Sequence, residues 1–368
     1  MPELATEKSS LYDLTPPELE SFFLSIGEPK YRSSQVLDFL YRVPVDSIEK
    51  FTTLPLSLRG KLAKVFTLAP IALRATLEAK DGAVKHVYEL TTKAPDAALE
   101  SVWMPSEPAD LASSDKPTQP RYSLCVSTQL GCAEGCKFCA TASLGLRRQL
   151  TTGQIIYQIV HCRTLYGNYP DTVLFMGMGE PMQNFQAVCA AVEILTHKDA
   201  LGFSPTRIVI STAGELDKLE EFHTRFPKVR IAISLNAATD ELRSTLMPIN
   251  KRFNLKAIAS FVRSMRLEKR QKITFEYVVL GGVNDTPEQI RALVNFLKPF
   301  SRRIKVNLIP FNPSVGINFQ TPSKENVLKI QETLRNIGVM TFIRRPRGAS
   351  ASAACGQLAG KFWTSPNF

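Results

Sequence analysis

The sequence predicts an α/β fold: a partial (β/α)6 barrel preceded by an N-terminal helical accessory domain and a short β adapter. Three observations carry that expectation. From residue 121 onward, short β-rich runs alternate with amphipathic helical runs through six units and a closing strand, which implies a parallel sheet. The first 73 residues show mainly helical spacing. Nearly every irregular Gly-rich or polar cluster follows the C-terminal end of an expected strand, where βα barrels build their sites. The same alternation allows a doubly wound open sheet as the alternative.

Residues 1–73 open with "TPPELESFFLSIG", where Thr15 serves as N-cap, Pro16 sits in the first turn and Gly27 stops the helix. "YRSSQVLDFLYR" and "PLSLRGKLAKVF" continue with helical apolar spacing. The adapter, 74–120, starts within the strand-like stretch "IALRATLEAKDGAVKHVYELTT", folded at Asp81-Gly82, and continues through "ALESVWMP". It ends in "PSEPADLASSDKPTQP" (105–120), whose Pro, Ser and Asp read as a flexible surface loop.

The barrel spans 121–347, with strands "YSLCVST", "TVLFMGMG", "RIVIST", "VRIAISL", "KITFEYVVL", "KVNLIPF" and "VMTFIRR". Helices are expected between them at 152–166, 185–197, 215–226, 254–269, 287–298 and 324–336. Residues 348–368 form a C-terminal segment. In strand order the clusters are "GCAEGCKFC", "GMGEP", "STAG", "SLNA", "GGVND", "FNP" and "RGASASAAC". All of them should converge on one site.

Charge narrows the partners. Lys and Arg number 45 against 34 Asp and Glu, giving +11 and a pI near 9.3, which favours a polyanion, nucleic acid before membrane surface. No apolar run reaches the roughly 18 residues of a membrane helix, and "MPELATEKSSLYDL" has no secretory h-region. A cytosolic protein is expected. There, clustered cysteines serve metal binding or catalysis more often than structural disulfides.

Cys132, Cys136 and Cys139 stand in a C-x-x-x-C-x-x-C array. Three soft thiolates in a tight loop suit an iron–sulfur cluster, whereas a structural zinc closes with four ligands and no fourth stands nearby. His161 and Cys162 lie on the next helix and read as ordinary helix residues. A [4Fe-4S] cluster held by three cysteines leaves one iron open to another ligand.

That array after the first barrel strand, with Phe138 before its last cysteine, resembles the radical S-adenosylmethionine (SAM) superfamily. The resemblance implies that the open iron chelates SAM, whose one-electron reduction yields a 5′-deoxyadenosyl radical. "CVSTQLGCAEGCKFCATASLGLRRQLTTGQI", "MGMGEPMQN", "AISLNAATDELRSTLMPIN" and "AACGQLAG" together resemble the RlmN/Cfr family of RNA methyltransferases. The likeness runs from "GEPKYRSSQVLDFLY" to "CGQLAG", nearly the whole chain.

The family resemblance implies the roles that follow. The [4Fe-4S] cluster sits on Cys132, Cys136 and Cys139, and SAM, two per turnover, contacts Gly179, Glu180, Ser211, Ser234, Leu235, Asn236 and Asn312. Cys355 carries the methyl group, Cys125 resolves the RNA-linked intermediate through a transient disulfide, and Glu100 of "ESVWMP" is the proton acceptor unless Cys125 fills that role. The product is 2-methyladenosine in 23S rRNA, at the peptidyl-transferase centre, and in tRNA, 3′ to the anticodon. A C8 methyltransferase uses the same cysteine pair, and an RNA-binding protein with a purely structural cluster is the non-enzymatic rival. A one-electron reductant such as flavodoxin is implied, no membrane partner, and a monomer.

This chain departs from the family where "ASASAACGQL" lacks an Asp-Ile before the two alanines, and where "SLNA" has Asn for a frequent His. The loop between Glu100 and Cys125 is also longer than the family pattern. Basic runs at Arg147–Arg148, 266–272, 302–305 and 344–347 are expected to form a phosphate-binding rim around the site, with the N-terminal helices assisting.

Overall fold

The computed structural model describes residues 8–43, 45–90, 98–106 and 121–358. Most of the loop expected over 105–120 lies outside the described residues, as do positions 359–368.

The chain starts with a two-residue strand, β1 (Ser9–Ser10), paired in parallel with β2 (Phe66–Thr67). Helices Pro16–Ser25, Tyr31–Tyr41 and Leu56–Val65 lie between these strands. Thr15 opens the first helix, its backbone N–H and hydroxyl donating to Glu18 at 2.8 and 2.6 Å. Gly27 stops that helix in the left-handed region at φ +77°. The helical segment packs on the first barrel helix, Thr152–Tyr166. Asp13 accepts from the Gly153 N–H at 2.6 Å, and Arg163 donates to the Tyr41 carbonyl at 2.8 Å.

One ten-stranded sheet organises the rest. Its antiparallel part is β3 (Ile71–Glu78), β4 (Val84–Leu90) and β5 (Leu99–Pro105), joined edge-on to β6 (Tyr122–Cys125). A two-stranded hairpin, β7 (Gln129–Gly131) with β8 (Leu146–Gln149), stands apart from the sheet. The parallel series continues as β9 (Thr172–Phe175), β10 (Ile208–Thr212), β11 (Arg230–Ser234), β12 (Ile273–Val279), β13 (Ile304–Pro310) and β14 (Met340–Ile343).

Strand order follows chain order from β6 to β14 without reversal. Right-handed crossovers therefore put every connecting helix on one face, and the sheet curls into an incomplete barrel. The doubly wound alternative requires a reversal that is absent from this order. Leu174, Val209 and Ala232 form an apolar layer on the inner face, while Val173, Ile210 and Ile231 join the core beneath the helices.

Three local differences have physical causes. The fourth barrel helix covers Leu255–Ser264 and stops short of residue 269, because "RLEKRQK" has little apolar surface to bury and Arg270 turns at φ +69°. A helix at Asp240–Leu246 escapes periodicity because it makes barely two turns, although Thr239 caps it. The β7–β8 hairpin carries too many polar residues to alternate. No helix among the described residues is long and apolar enough to cross a membrane.

Trp103 joins the antiparallel edge to the barrel, buried between Tyr122 and Tyr166 with ring centroids 4.8 and 4.6 Å away. Trp103→Ala should therefore lower stability by about 3–5 kcal/mol in urea unfolding. A loss below about 1 kcal/mol would mean that backbone pairing alone holds this edge.

Candidate active site

Loops after the C-terminal ends of the parallel strands surround one cavity. Cys125 ends β6, Met176 to Glu180 follow β9, Ser211 to Ala213 close β10, and Ser234 and Asn236 close β11. Asn312 follows β13, and the segment after β14 adds Arg344 and Cys355. Six of the seven clusters, some more than 200 residues apart, meet at this cavity. "GGVND" does not line it, and its Asn284 instead bonds the backbone of Leu280, Asn236 and Val278.

Cys132, Cys136 and Cys139 line this cavity on a loop tied at both ends. The Cys132 N–H donates to the Gly145 carbonyl at 3.0 Å, and the Lys137 N–H donates to that of Leu246 at 3.0 Å. Gly131 is required at this closure: its φ is +75°, and a Cβ there would fall 1.8 Å from the Gly145 oxygen. Desolvation pushes Cys132 up to about 12 and Cys136 well above a free thiol, with the neighbouring thiols adding to the Cys136 shift. Crowded thiols of this kind ionise only against strong positive charge.

Among the described residues, no three His, Cys, Asp or Glu side chains converge as a single metal ion needs. Thiolates of a cubane bind separate irons, and three soft thiolates lining one cavity suit that donor set.

Glu180 is buried, and both its oxygens are engaged. Oε1 accepts from the Met182 N–H at 3.0 Å and Oε2 from the Ala213 N–H at 2.7 Å. Burial pushes its pKa up to about 8 against the pull of these donors. Gly179 permits the turn, because its φ is +102° and a Cβ would meet Gln129 Cβ at 2.5 Å.

Asn236 takes a left-handed φ of 56°, which Asn tolerates, and its side-chain oxygen accepts from the Val278 N–H at 2.8 Å. Leu235 is buried outside the cavity lining, and its N–H donates to Glu276.

Cys125 and Cys355 open onto the same cavity, both as free thiols. Desolvation raises Cys125 to about 12, with Cys355 adding to it, and Cys355 to about 11, with Glu276 and Cys139 adding. Arg344 opposes both shifts. Cys355 is exposed as a residue and lines the cavity. Its loop is moored on two sides. The Ala140 N–H donates to the Gly356 carbonyl at 2.8 Å, and Asn312 Nδ2 to that of Cys355 at 3.3 Å.

Glu100 does not line the cavity. It shares a strand face with Val102 and Met104, which do, but is buried beside Lys85, Oε1 to Nζ 3.4 Å. Lys85 in turn donates to the Ser352 carbonyl at 3.3 Å.

Sequence reasoning missed Glu276, Glu134 and Arg243. Glu276 had a signal: a lone carboxylate inside the apolar run "KITFEYVVL". Arg243 had none, because its partners come from three separate loops. Arg344, expected with 345–347 in a basic rim around the site, lines the cavity together with Arg345 and Arg347.

Two of the basic runs are misplaced by the rim expectation. Residues 266–272 and 302–305 lead into the N-terminal ends of β12 and β13, so they occupy the opposite end of the barrel from the cavity. A seven-residue strand separates the two ends by roughly 20 Å.

Comparison with known proteins agrees with this geometry. Residues 126–297 match the family model of the radical SAM superfamily, and residues 9–68 that of a ribosomal RNA large subunit methyltransferase N-terminal domain. The chain is 38% identical to the dual-specificity RNA methyltransferase RlmN of Campylobacter jejuni, over 96% of this chain and 98% of that one. It is also 38% identical to the protein of the same name from Syntrophobacter fumaroxidans, over 95% and 98%. A radical SAM methyltransferase from Sphaerobacter thermophilus superposes with a TM-score of 0.86 at 35% identity, covering 96% of this chain and all of that one. Fold, cavity and relatives agree: the chain belongs to the RlmN family of radical SAM RNA methyltransferases, whose superfamily works with a [4Fe-4S] cluster and SAM.

Proposed function

We propose that this enzyme forms 2-methyladenosine in 23S rRNA and in tRNA, carrying the methyl group on Cys355. The observation that carries this reading is that Cys355 and Cys125 open onto the cavity lined by Cys132, Cys136 and Cys139. C2 of adenine is an electron-poor carbon that does not attack a sulfonium methyl. When bound, the cluster and SAM supply the one-electron chemistry that polar transfer lacks. Cys132, Cys136 and Cys139 would hold the cluster, with Gly179, Glu180, Ser211, Ser234, Asn236 and Asn312 around SAM, while Leu235 lies outside the lining.

This chain's residues supply the rest. Cys355 holds the one-carbon unit as a thioether, on a loop moored by Asn312 and Ala140. Arg344 favours the thiolate of both Cys355 and Cys125. Removal of the C2 proton falls to Cys125, because it lines the cavity whereas Glu100, buried beside Lys85, does not. Cys125, as thiolate, then attacks the Cys355 sulfur, and the bond from that sulfur to the RNA-bound methylene breaks. The methylene keeps the electron pair and takes a proton to become the methyl group, and a Cys125–Cys355 disulfide is left for reduction. Arg345 at the mouth and Arg147 on the hairpin, both exposed, contact phosphates.

Anaerobically reconstituted enzyme should yield 2-methyladenosine in both RNAs by nucleoside mass spectrometry, and a C8 product would correct the regiochemistry. Cys355→Ala should cut methyl transfer at least about a hundredfold; full retention would remove the thioether carrier. Cys125→Ala should leave a denaturant-resistant protein–RNA adduct on gels.

Arg344→Met removes a cation that lowers the Cys355 pKa, so less thiolate is present at any pH below about 11. Alkylation of Cys355 by iodoacetamide at pH 9, mapped by peptide mass, should slow about threefold or more, and the rate–pH profile should move upward. An unchanged profile would mean that Arg344 does not tune this thiol.

A further inference from the structure

Glu276 stands in the middle of β12, on the inner face, level with Ser234 of β11 and Asn307 of β13. It is 5% exposed and forms part of the cavity wall. Its two oxygens differ. Oε1 accepts from Asn307 Nδ2 at 2.9 Å and lies 3.7 Å from Arg344 Nη1. Oε2, also buried, has no hydrogen-bond partner among the described residues. Leaving a buried acceptor unmet costs about 1–3 kcal/mol, and such an atom in a binding cavity points to a donor brought by a ligand.

The neighbours say which ligand. Arg344 and Lys305 are the cations facing Glu276, and Glu276 acts electrostatically on the Cys355 thiol. Both residues line one cavity with Arg344, so the acceptor and the sulfur proposed to carry the methyl group face the same space. Adenine's 6-amino group and C2 flank N1 on a single ring edge, so a base held by its amine turns C2 toward a sulfur alongside. Enzymes that act on an unstacked base read this edge by hydrogen bonds.

We propose that Glu276 Oε2 accepts a hydrogen bond from the 6-amino group of the target adenine and so selects adenine over 6-oxopurines. The inference rests on the adenine-C2 reading above. SAM contains the same aminopurine, and Ser234, assigned to SAM, is level with Glu276. What favours the RNA base is that Glu276 shares its cavity wall with Arg344 and Cys355, where the base must meet the methyl carrier. The RNA base is therefore the occupant.

The test uses reconstituted enzyme and two RNAs, with adenosine or inosine at the target position. Inosine keeps the C2–H and replaces the amine, a donor, with a carbonyl, an acceptor. The wild type should methylate the adenosine RNA at least about tenfold faster. In Glu276→Gln, Asn307 and Arg344 hold the amide oxygen, so the amide NH2 takes the place of Oε2. The adenosine-to-inosine rate ratio should then shift at least about tenfold toward inosine.

Equal wild-type rates on the two RNAs would sink the assignment without any variant, so a misfolded Glu276→Gln protein cannot shield it. A variant that slows both RNAs by one factor would also overturn it, and reading of SAM's own adenine would have that signature. A wild type that methylates neither RNA overturns the adenine-C2 reading itself, and this inference with it.

Discussion

Arg243 is fully buried and holds together the strand ends on which the cavity depends. Its guanidinium donates to the carbonyls of Ala213 after β10, of Ser234 and Leu235 at the end of β11, and of Phe253, and to the side chain of Asn250. Parallel strands deliver their loops to one rim, but each loop turns carbonyls away from the sheet ladder. Those carbonyls need donors once buried. One planar five-donor group satisfies several at fixed angles, which a lysine could not do. Desolvation lowers its pKa only to about 10, so it stays charged near neutrality.

In the cavity itself the positive charge comes from Arg344, Arg345 and Arg347, all on the segment after β14. Burial raises Cys125 and Cys132 to about 12, Cys355 to about 11, Glu180 to about 8 and Glu134 to about 7. A fold built for stability alone would not gather so many groups whose charged forms burial disfavours. The cofactors of this superfamily bring positive charge of their own, irons that favour thiolates and the sulfonium and ammonium of SAM, and their binding energy offsets that desolvation cost.

The C-terminal segment shares this logic. Its carbonyls at Gly356 and Leu358 accept from Ala140 and Thr141, which directly follow Cys139. Lys85 ties Ser352 to the strand bearing Glu100. The loop with the mobile chemistry is thus anchored to the cysteine loop on one side and to the antiparallel edge on the other. Short polar bonds of this type open and re-form at low cost, unlike an apolar core.

The sequence by itself determined the alternation of strands and helices, the Thr15 and Gly27 helix ends, the three-cysteine loop and the rim on which the clusters gather. These follow from local periodicity, backbone preference and the chain order of a parallel sheet. Tertiary structure alone decided what stands beside what. It put Glu276 against Arg344, paired Glu100 with Lys85, and left Glu100 and Leu235 out of the cavity lining. It gave Arg243 partners from three loops and sent residues 266–272 and 302–305 to the far end. Lateral neighbours depend on strand register and loop closure, and a pattern read along one chain contains neither.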